Sequence, residues 1–130
     1  MKQLWAPWRM AYIDEGFRDE GCIFCLKSRE ADSRAALVLT QTDHTVVMMN
    51  KYPYNNGHLL LSPKRHENDL ARLPSDAFSD LNETLRQAIE IVRKVFNPGG
   101  INVGMNLGKC AGAAIAAHLH WHIVPRWEGD

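Results

Sequence analysis

Apolar positions recur most regularly after Pro74, where Phe78, Leu81, Leu85, Ala88, Ile89, Val92 and Val95 follow at three- and four-residue steps. That spacing predicts one long helix with a single apolar face. Ser75 reads as its N-cap, and Asp76 suits the positive end of the helix dipole. Glu90 and Lys94 pair at i,i+4 on the exposed side. Asn97-Pro98-Gly99-Gly100 stops the helix. Before it come three short β-rich runs, 36–40, 45–50 and 58–62. The first two are joined by the polar turn 41–44, and Pro63 ends the third. Asn55-Asn56-Gly57 is a turn signal inside a 50–57 connection too long for a two-residue hairpin. After the helix, 101–107 reads as a strand, 108–114 as a small-residue loop, and 118–124 as a last strand before Pro125. Polar residues 27–35 read as a loop or a short helix. Trp5, Trp8, Tyr12 and Phe17 show no period, so residues 1–20 read as an aromatic arm that wraps over its own domain or a partner subunit. Residues 21–130 then form one α+β domain, a mainly antiparallel sheet with one long helix and a short second helix.

Composition narrows the function. The 130 residues are 45% hydrophobic and 23% charged, values of a folded globular chain. Lys plus Arg equals Asp plus Glu, 15 against 15. Such a balance does not suit nucleic-acid binding, which rests on many basic contacts and counterion release. No stretch approaches the roughly 20 apolar residues that span a bilayer. Nor do the first residues contain a secretory signal's apolar core. The expected location is cytoplasmic, with no membrane and no nucleic-acid partner. Cys22 and Cys25 form a C-x-x-C pair and Cys110 stands apart. In a reducing compartment these point to a metal or thiol role before a disulfide framework.

Three of the six histidines fall within five residues, at His118, His120 and His122. On a strand, alternate side chains share a face. The three imidazoles would then form a row about 7 Å apart, backed by Leu119, Trp121 and Ile123 on the core side. Two chemistries suit such a row. The imidazoles can bind a metal, or one can attack phosphorus while its neighbours receive the phosphoryl oxygens. The preceding tract, with Asn106, Gly108, Gly112, Ala113 and Ala114, favours the second, because its backbone N–H groups can approach an anion closely.

The H-x-H-x-H pattern running into Ile123-Val124-Pro125-Arg126 resembles the histidine triad (HIT) superfamily of nucleotidyl hydrolases and transferases. Asn50-Lys51-Tyr52-Pro53-Tyr54-Asn55-Asn56-Gly57-His58, continuing to Ser62-Pro63-Lys64-Arg65-His66, carries the same likeness, as does 102–108 running into Ala111-Gly112. The N-terminal run 4–13 and the Tyr-Pro-Tyr-Asn run are similar to the bacterial branch that includes diadenosine tetraphosphate phosphorylases. The resemblance implies that His120 is the nucleophile toward the α-phosphorus of an adenosine nucleotide or dinucleoside polyphosphate. A covalent nucleotidyl-histidine would form, for which one nitrogen of His120 must be unprotonated while the other donates to a backbone carbonyl. His122 would bond the phosphoryl or bridging oxygen, and His58 would lie near the phosphates. Asn50 would contact the ribose, and Phe24 and Met48 would line the base pocket. Asn106 and the backbone of Gly112, Ala113 and Ala114 would hold phosphate. Cys22, Cys25, His66 and His118 map onto a structural zinc site, with no organic cofactor. Family members are usually homodimers, so a homodimer or higher homo-oligomer is expected.

Two departures stand out. Many relatives carry Ser, Thr, Gln or Gly where this chain has Ala113-Ala114, so a side-chain donor to phosphate is missing. The gap from Gly112 to His118 is one residue longer than in shorter-loop branches, which, with Trp127 after Arg126, is similar to phosphorylase-type members. That branch usually continues past the position of Asp130. Two other functions remain open from the residues alone: a hydrolase whose three triad histidines bind a catalytic metal, and a nucleotide-binding module without turnover.

Overall fold

Alternation along two adjacent apolar strands divides the core in two. Val46, Met48 and Leu60 face one side of the sheet, and Val47, Leu59 and Leu61 the other. The computed structural model describes residues 22–130. The aromatic arm read at residues 1–20 lies outside them. Among the described residues, five strands form one sheet: β1 (Val38–Gln41), β2 (Thr45–Met49), β3 (Leu59–Pro63), β4 (Gly100–Met105) and β5 (Trp121–Arg126). The order is β1-β2-β3-β5-β4, and every neighbouring pair is antiparallel. Helix α1 (Ile23–Arg29) covers one face and helix α2 (Ser75–Phe96) the other. The α+β class with one long and one short helix is therefore observed.

Helix α2 departs from its predicted face. Ala77, Leu81, Thr84, Ala88 and Val92 are buried, whereas Phe78 and Val95 are 39% and 67% exposed. A 22-residue helix is about 33 Å long, while a five-residue strand spans about 17 Å. Val95 lies past Val92, the last buried residue of the helix, while Phe78 sits at the flank of the buried stripe beside Ala77. Ser75 is also not the cap. It is the first helical residue, Pro74 occupies the cap position, and no side chain caps there. Asp76 Oδ1 instead accepts the N–H of Ala77 at 2.9 Å, serving one of the first-turn donors itself.

A buried polar lock joins α2 to the β1–β2 turn. Asp80 accepts hydrogen bonds from the hydroxyls of Thr42 and Thr45 and from the backbone N–H of His44. Burial pushes the Asp80 carboxyl up, but these bonds and nearby His44 outweigh it and hold the group below its ordinary range. Gly57 marks the other end of α2. Its φ is +77°, and a Cβ there would sit 2.8 Å from the Phe96 ring, so only glycine fits the turn that leads into His58.

Asp80→Ala is expected to lower the unfolding free energy by about 1–3 kcal/mol, read as a shifted urea midpoint. The Asp80 contribution is fully present above the unfolded carboxylate pKa and fades as pH falls through the lower folded value. The gap between wild type and variant should therefore narrow in acid; an unchanged midpoint at neutral pH would show that the lock is dispensable.

Candidate active site and metal centre

The final histidine segment does not run as one strand. Pairing between β3 and β5 stops at Leu61↔Trp121, so His122 lies on β5 while His118 and His120 precede it. The reason lies in the partners of Leu119. Its N–H donates to Glu67 O at 2.8 Å, and its carbonyl accepts from Ser62 Oγ at 3.0 Å. These bonds hold the segment against the Ser62 side chain at the end of β3 and the loop that follows, instead of in the ladder. The predicted row of three imidazoles is thereby split. His120 and His122 remain together, with ring centroids 5.0 Å apart, whereas His118 packs edge-on to His66 at 5.1 Å.

Hydrogen-bond partners assign the tautomers. His120 Nδ1 lies 2.9 Å from the carbonyl oxygen of His118. A carbonyl only accepts, so Nδ1 carries the proton and Nε2 the lone pair. The partner chain beside it runs the other way. His58 Nδ1 receives the N–H of Tyr54 at 3.0 Å and the amide nitrogen of Asn50 at 3.4 Å, so it is unprotonated. His58 Nε2–H then donates to His122 Nδ1 at 2.9 Å, which leaves the proton of neutral His122 on Nε2. Two neighbouring imidazoles thus have opposite tautomers, one suited to attack and one to donation.

Two cavities lie near this pair, and the histidines themselves line the smaller one. One of about 300 Å³ is lined by Ile23, Phe24, Met48, Asn50 and Leu60 among others. Phe24 lies at its base and stacks on His120, with centroids 4.6 Å apart and planes at 25°. The second, about 220 Å³, is lined by Tyr54, Asn102, Gly104, Asn106, Gly112, Ala114, His120 and His122 among others. The structure therefore brings together His58, His120, His122, Phe24, Met48, Asn50, Asn106, Gly112 and Ala114. Ala113 does not line either cavity. It is buried, and its N–H is spent on Gly108 O at 3.2 Å, as that of Gly112 is on Lys109 O at 3.0 Å. The expected three-amide phosphate cradle is corrected to one: of the three, only the Ala114 N–H makes no hydrogen bond among the described residues. The physical cause is the closure of the turn 109–111, where left-handed Gly112 lets two successive N–H groups, its own and that of Ala113, fold back onto Lys109 O and Gly108 O.

Sequence reading missed several residues here. Tyr54 stacks on His58 with centroids 5.5 Å apart, besides donating its N–H. Asn102 and Gly104 line the smaller cavity with Asn106. Their polar and small character at every second position of β4 was a usable signal. Leu37, at the wall of the larger cavity, holds a φ of +62°, uncommon for such a residue, and no local sequence cue marks it.

Cys22, Cys25, His66 and His118 converge, with ligand atoms all within 4.8 Å of one another. His118 Nδ1 lies 3.2 Å from Cys22 Sγ, 3.5 Å from Cys25 Sγ and 3.2 Å from His66 Nδ1. His118 Nε2–H donates to Pro63 O at 2.7 Å, so the lone pair on Nδ1 faces the thiols. Two sulfurs and two imidazole nitrogens at such separations suit a tetrahedral thiophilic ion. Burial, the main cause, pushes the His118 pKa down to about 4, keeping the ring neutral as a ligand must be. Burial also pushes the Cys25 thiol up, and neighbouring Cys22 adds to this. A cation would reverse that tendency. Because His118 Nδ1 faces the cysteines, the three triad imidazoles do not converge on a shared metal position. Cys110 is exposed and distinct from this set.

Comparison with known proteins agrees with this geometry. The model of the HIT domain family matches residues 31–129. The AP-4-A phosphorylase of Mycobacterium tuberculosis is 35% identical over an alignment that takes in 100% of this chain and 70% of that protein. The asymmetrical bis(5'-nucleosyl)-tetraphosphatase of Schizosaccharomyces pombe is 31% identical over 72% of this chain and 50% of its own length. A zinc-bound histidine triad family protein from Mycobacterium smegmatis superposes with a TM-score of 0.71 at 28% identity, covering 85% of this chain and 78% of that one. The chain belongs to the HIT family.

Acidification tests the buried state of His118. Its folded pKa of about 4 lies below the unfolded value, so the unfolded chain binds more protons between roughly pH 6.5 and 4. The stability of metal-stripped protein should fall as pH drops through that window, measured by thermal melts across a pH series. A flat profile between those values would show that His118 is not held neutral.

Proposed function

We propose that the protein transfers a nucleotidyl group from adenosine nucleotides or dinucleoside polyphosphates through His120, by a nucleotidyl-histidine intermediate. The carrying observation is the Nδ1–H of His120 held by the His118 carbonyl, which leaves the attacking lone pair on Nε2. In the first step Nε2 forms a bond to the α-phosphorus as the bridging oxygen departs. That oxygen departs as a phosphate anion and accepts a hydrogen bond from the Nε2–H of His122, which keeps its proton and whose Nδ1 is held by His58 Nε2–H. In the second step an anionic oxygen of the acceptor phosphate bonds to the same phosphorus as the Nε2–phosphorus bond breaks, and His120 leaves with its Nε2 lone pair restored. The larger cavity takes the base, against Phe24 and Met48, and the ribose, at Asn50. The smaller one takes the phosphates beside Asn106 and the Gly112–Ala114 turn.

Whole-chain likeness to a phosphorylase supports inorganic phosphate as the acceptor. Cys22, Cys25, His66 and His118 would hold zinc, which supplies structural cross-linking of α1 to the 62–67 loop, with all four positions filled by protein. No helix among the described residues is long and apolar enough to cross a membrane, and a cytoplasmic protein acting on small nucleotides is proposed. Residues 21–130 constitute the catalytic domain, and 1–20 its arm. A homodimer is also proposed: β4 is an edge strand with Val103 exposed, the kind of edge that chains cover by pairing.

Incubating the protein with diadenosine tetraphosphate and phosphate should yield ADP plus ATP, whereas hydrolysis would give AMP plus ATP. His120→Ala should lower turnover by at least a thousandfold, as loss of a covalent nucleophile does. Turnover that survives this substitution would overturn the mechanism. In contrast, His58→Ala should reduce kcat and leave KM within a few-fold, since His58 acts through His122.

A further inference from the structure

Helix α1 carries parts of two sites within seven residues. Cys22 caps it and Cys25 lies one turn in, both facing His66 and His118. Between them, Phe24 stacks on the ring of His120 and lies 5.4 Å from that of His118. Ile23, Phe24 and Lys27 of the same helix line the larger cavity. A helix this short is marginal by itself, so its position is set by what it is attached to. Its attachments are the thiol cluster, the packing of Phe24 and a bond from Lys27 Nζ to Ala36 O at 3.0 Å. His118 adds a second connection. Its ring belongs to the metal cluster and its carbonyl holds the proton on His120.

We propose that the Cys22–Cys25–His66–His118 cluster and the nucleotide cavity are thermodynamically linked, metal loading and nucleotide binding each strengthening the other through α1 and His118. This rests on the nucleotide reading above and goes beyond a merely structural metal. Loading places Phe24 against His120 and completes the cavity wall; losing the ion releases both at once. Linkage is reciprocal, so a nucleotide must raise metal affinity by the same factor. In this scheme Phe24 contacts the base and also positions His120, while His118 acts on the reaction through His120. The thiol ligands make the activity responsive to the supply of a thiophilic divalent cation.

The test uses the full chain with zinc as metal and AMP as nucleotide. AMP affinity is measured calorimetrically on zinc-loaded and chelator-stripped protein, with far-UV circular dichroism recorded for both. Zinc affinity is measured by competition with a chromophoric chelator, with and without saturating AMP. AMP should bind about tenfold more tightly to the loaded form, and AMP should raise zinc affinity by the same factor. Phe24→Leu keeps both thiols and an apolar side chain; it should retain zinc affinity without AMP while the coupling factor falls toward one. Equal AMP affinity with and without zinc overturns the linkage. So does coupling that survives in Phe24→Leu, including the case in which the stripped protein unfolds and the sites communicate only through global folding. Absence of AMP binding to loaded protein would refute the nucleotide reading itself, and absence of zinc binding would refute the metal reading. Binding of both without coupling would refute this inference alone.

Discussion

One backbone carbonyl decides the chemistry of this site. The oxygen of His118 accepts the Nδ1 proton of His120, and an imidazole with Nδ1 protonated has its lone pair on Nε2. Were that oxygen turned away, either nitrogen could hold the proton and the ring would not be committed to attack. The carbonyl is positioned because the residue that bears it is held at both ends. Its ring is buried and bonded to Pro63 O, and the next peptide is bonded on one side to Glu67 O and on the other to Ser62 Oγ.

The rest of the fold serves this segment. Antiparallel pairing of β5 with β3 and β4 places Leu60 and Gly104 beside His122, one bulky and one without a side chain. Glycine at 104 leaves room over the strand for the smaller cavity that it lines. On the opposite face, Val47, Leu61, Leu81 and Ile123 form the apolar base that keeps the strands in register. The Asp80 lock fixes α2 to the β1–β2 turn at a distance from the chemistry. Near the site, the carboxylate of Asp130 gathers the Arg126 guanidinium, the Asn55 amide and the Trp127 N–H. Asn55 O in turn accepts the N–H of His58, so the end of β5 steadies the loop that presents that histidine.

Opposite tautomers on adjacent histidines also explain how chemically identical side chains take different roles. His58, His120 and His122 differ in what their ring nitrogens face: a backbone N–H, a carbonyl, or another imidazole. The group facing one nitrogen of a ring sets the proton's place, and the assignment of His58 passes on to His122. His118 is assigned by the same rule and ends with its lone pair toward sulfur. Four histidines of one residue type thereby differ in where their protons and lone pairs lie, which is the difference the proposed roles require.

The linear sequence determined a good deal. Short β-rich apolar runs set between turn residues specified the strands to within a few residues. The long helix followed from its period, and the histidine triplet with Asn50, His58 and the C-x-x-C pair was legible as residue type and spacing. Tertiary structure decided the remainder. Phe78 and Val95 obey the helical period yet lie exposed, since the first flanks the stripe that meets the sheet and the second lies beyond its last buried residue, Val92. His118 obeys the strand period yet leaves the row, since Glu67 and Ser62 compete for its neighbour's backbone. Ala113 belongs to a small-residue tract yet offers no donor, since its N–H folds back onto Gly108 O past the left-handed Gly112. Periodicity reports only which side chains share a face. Which nitrogen holds a proton, and which amide stays available, depends on partners that approach from distant parts of the chain.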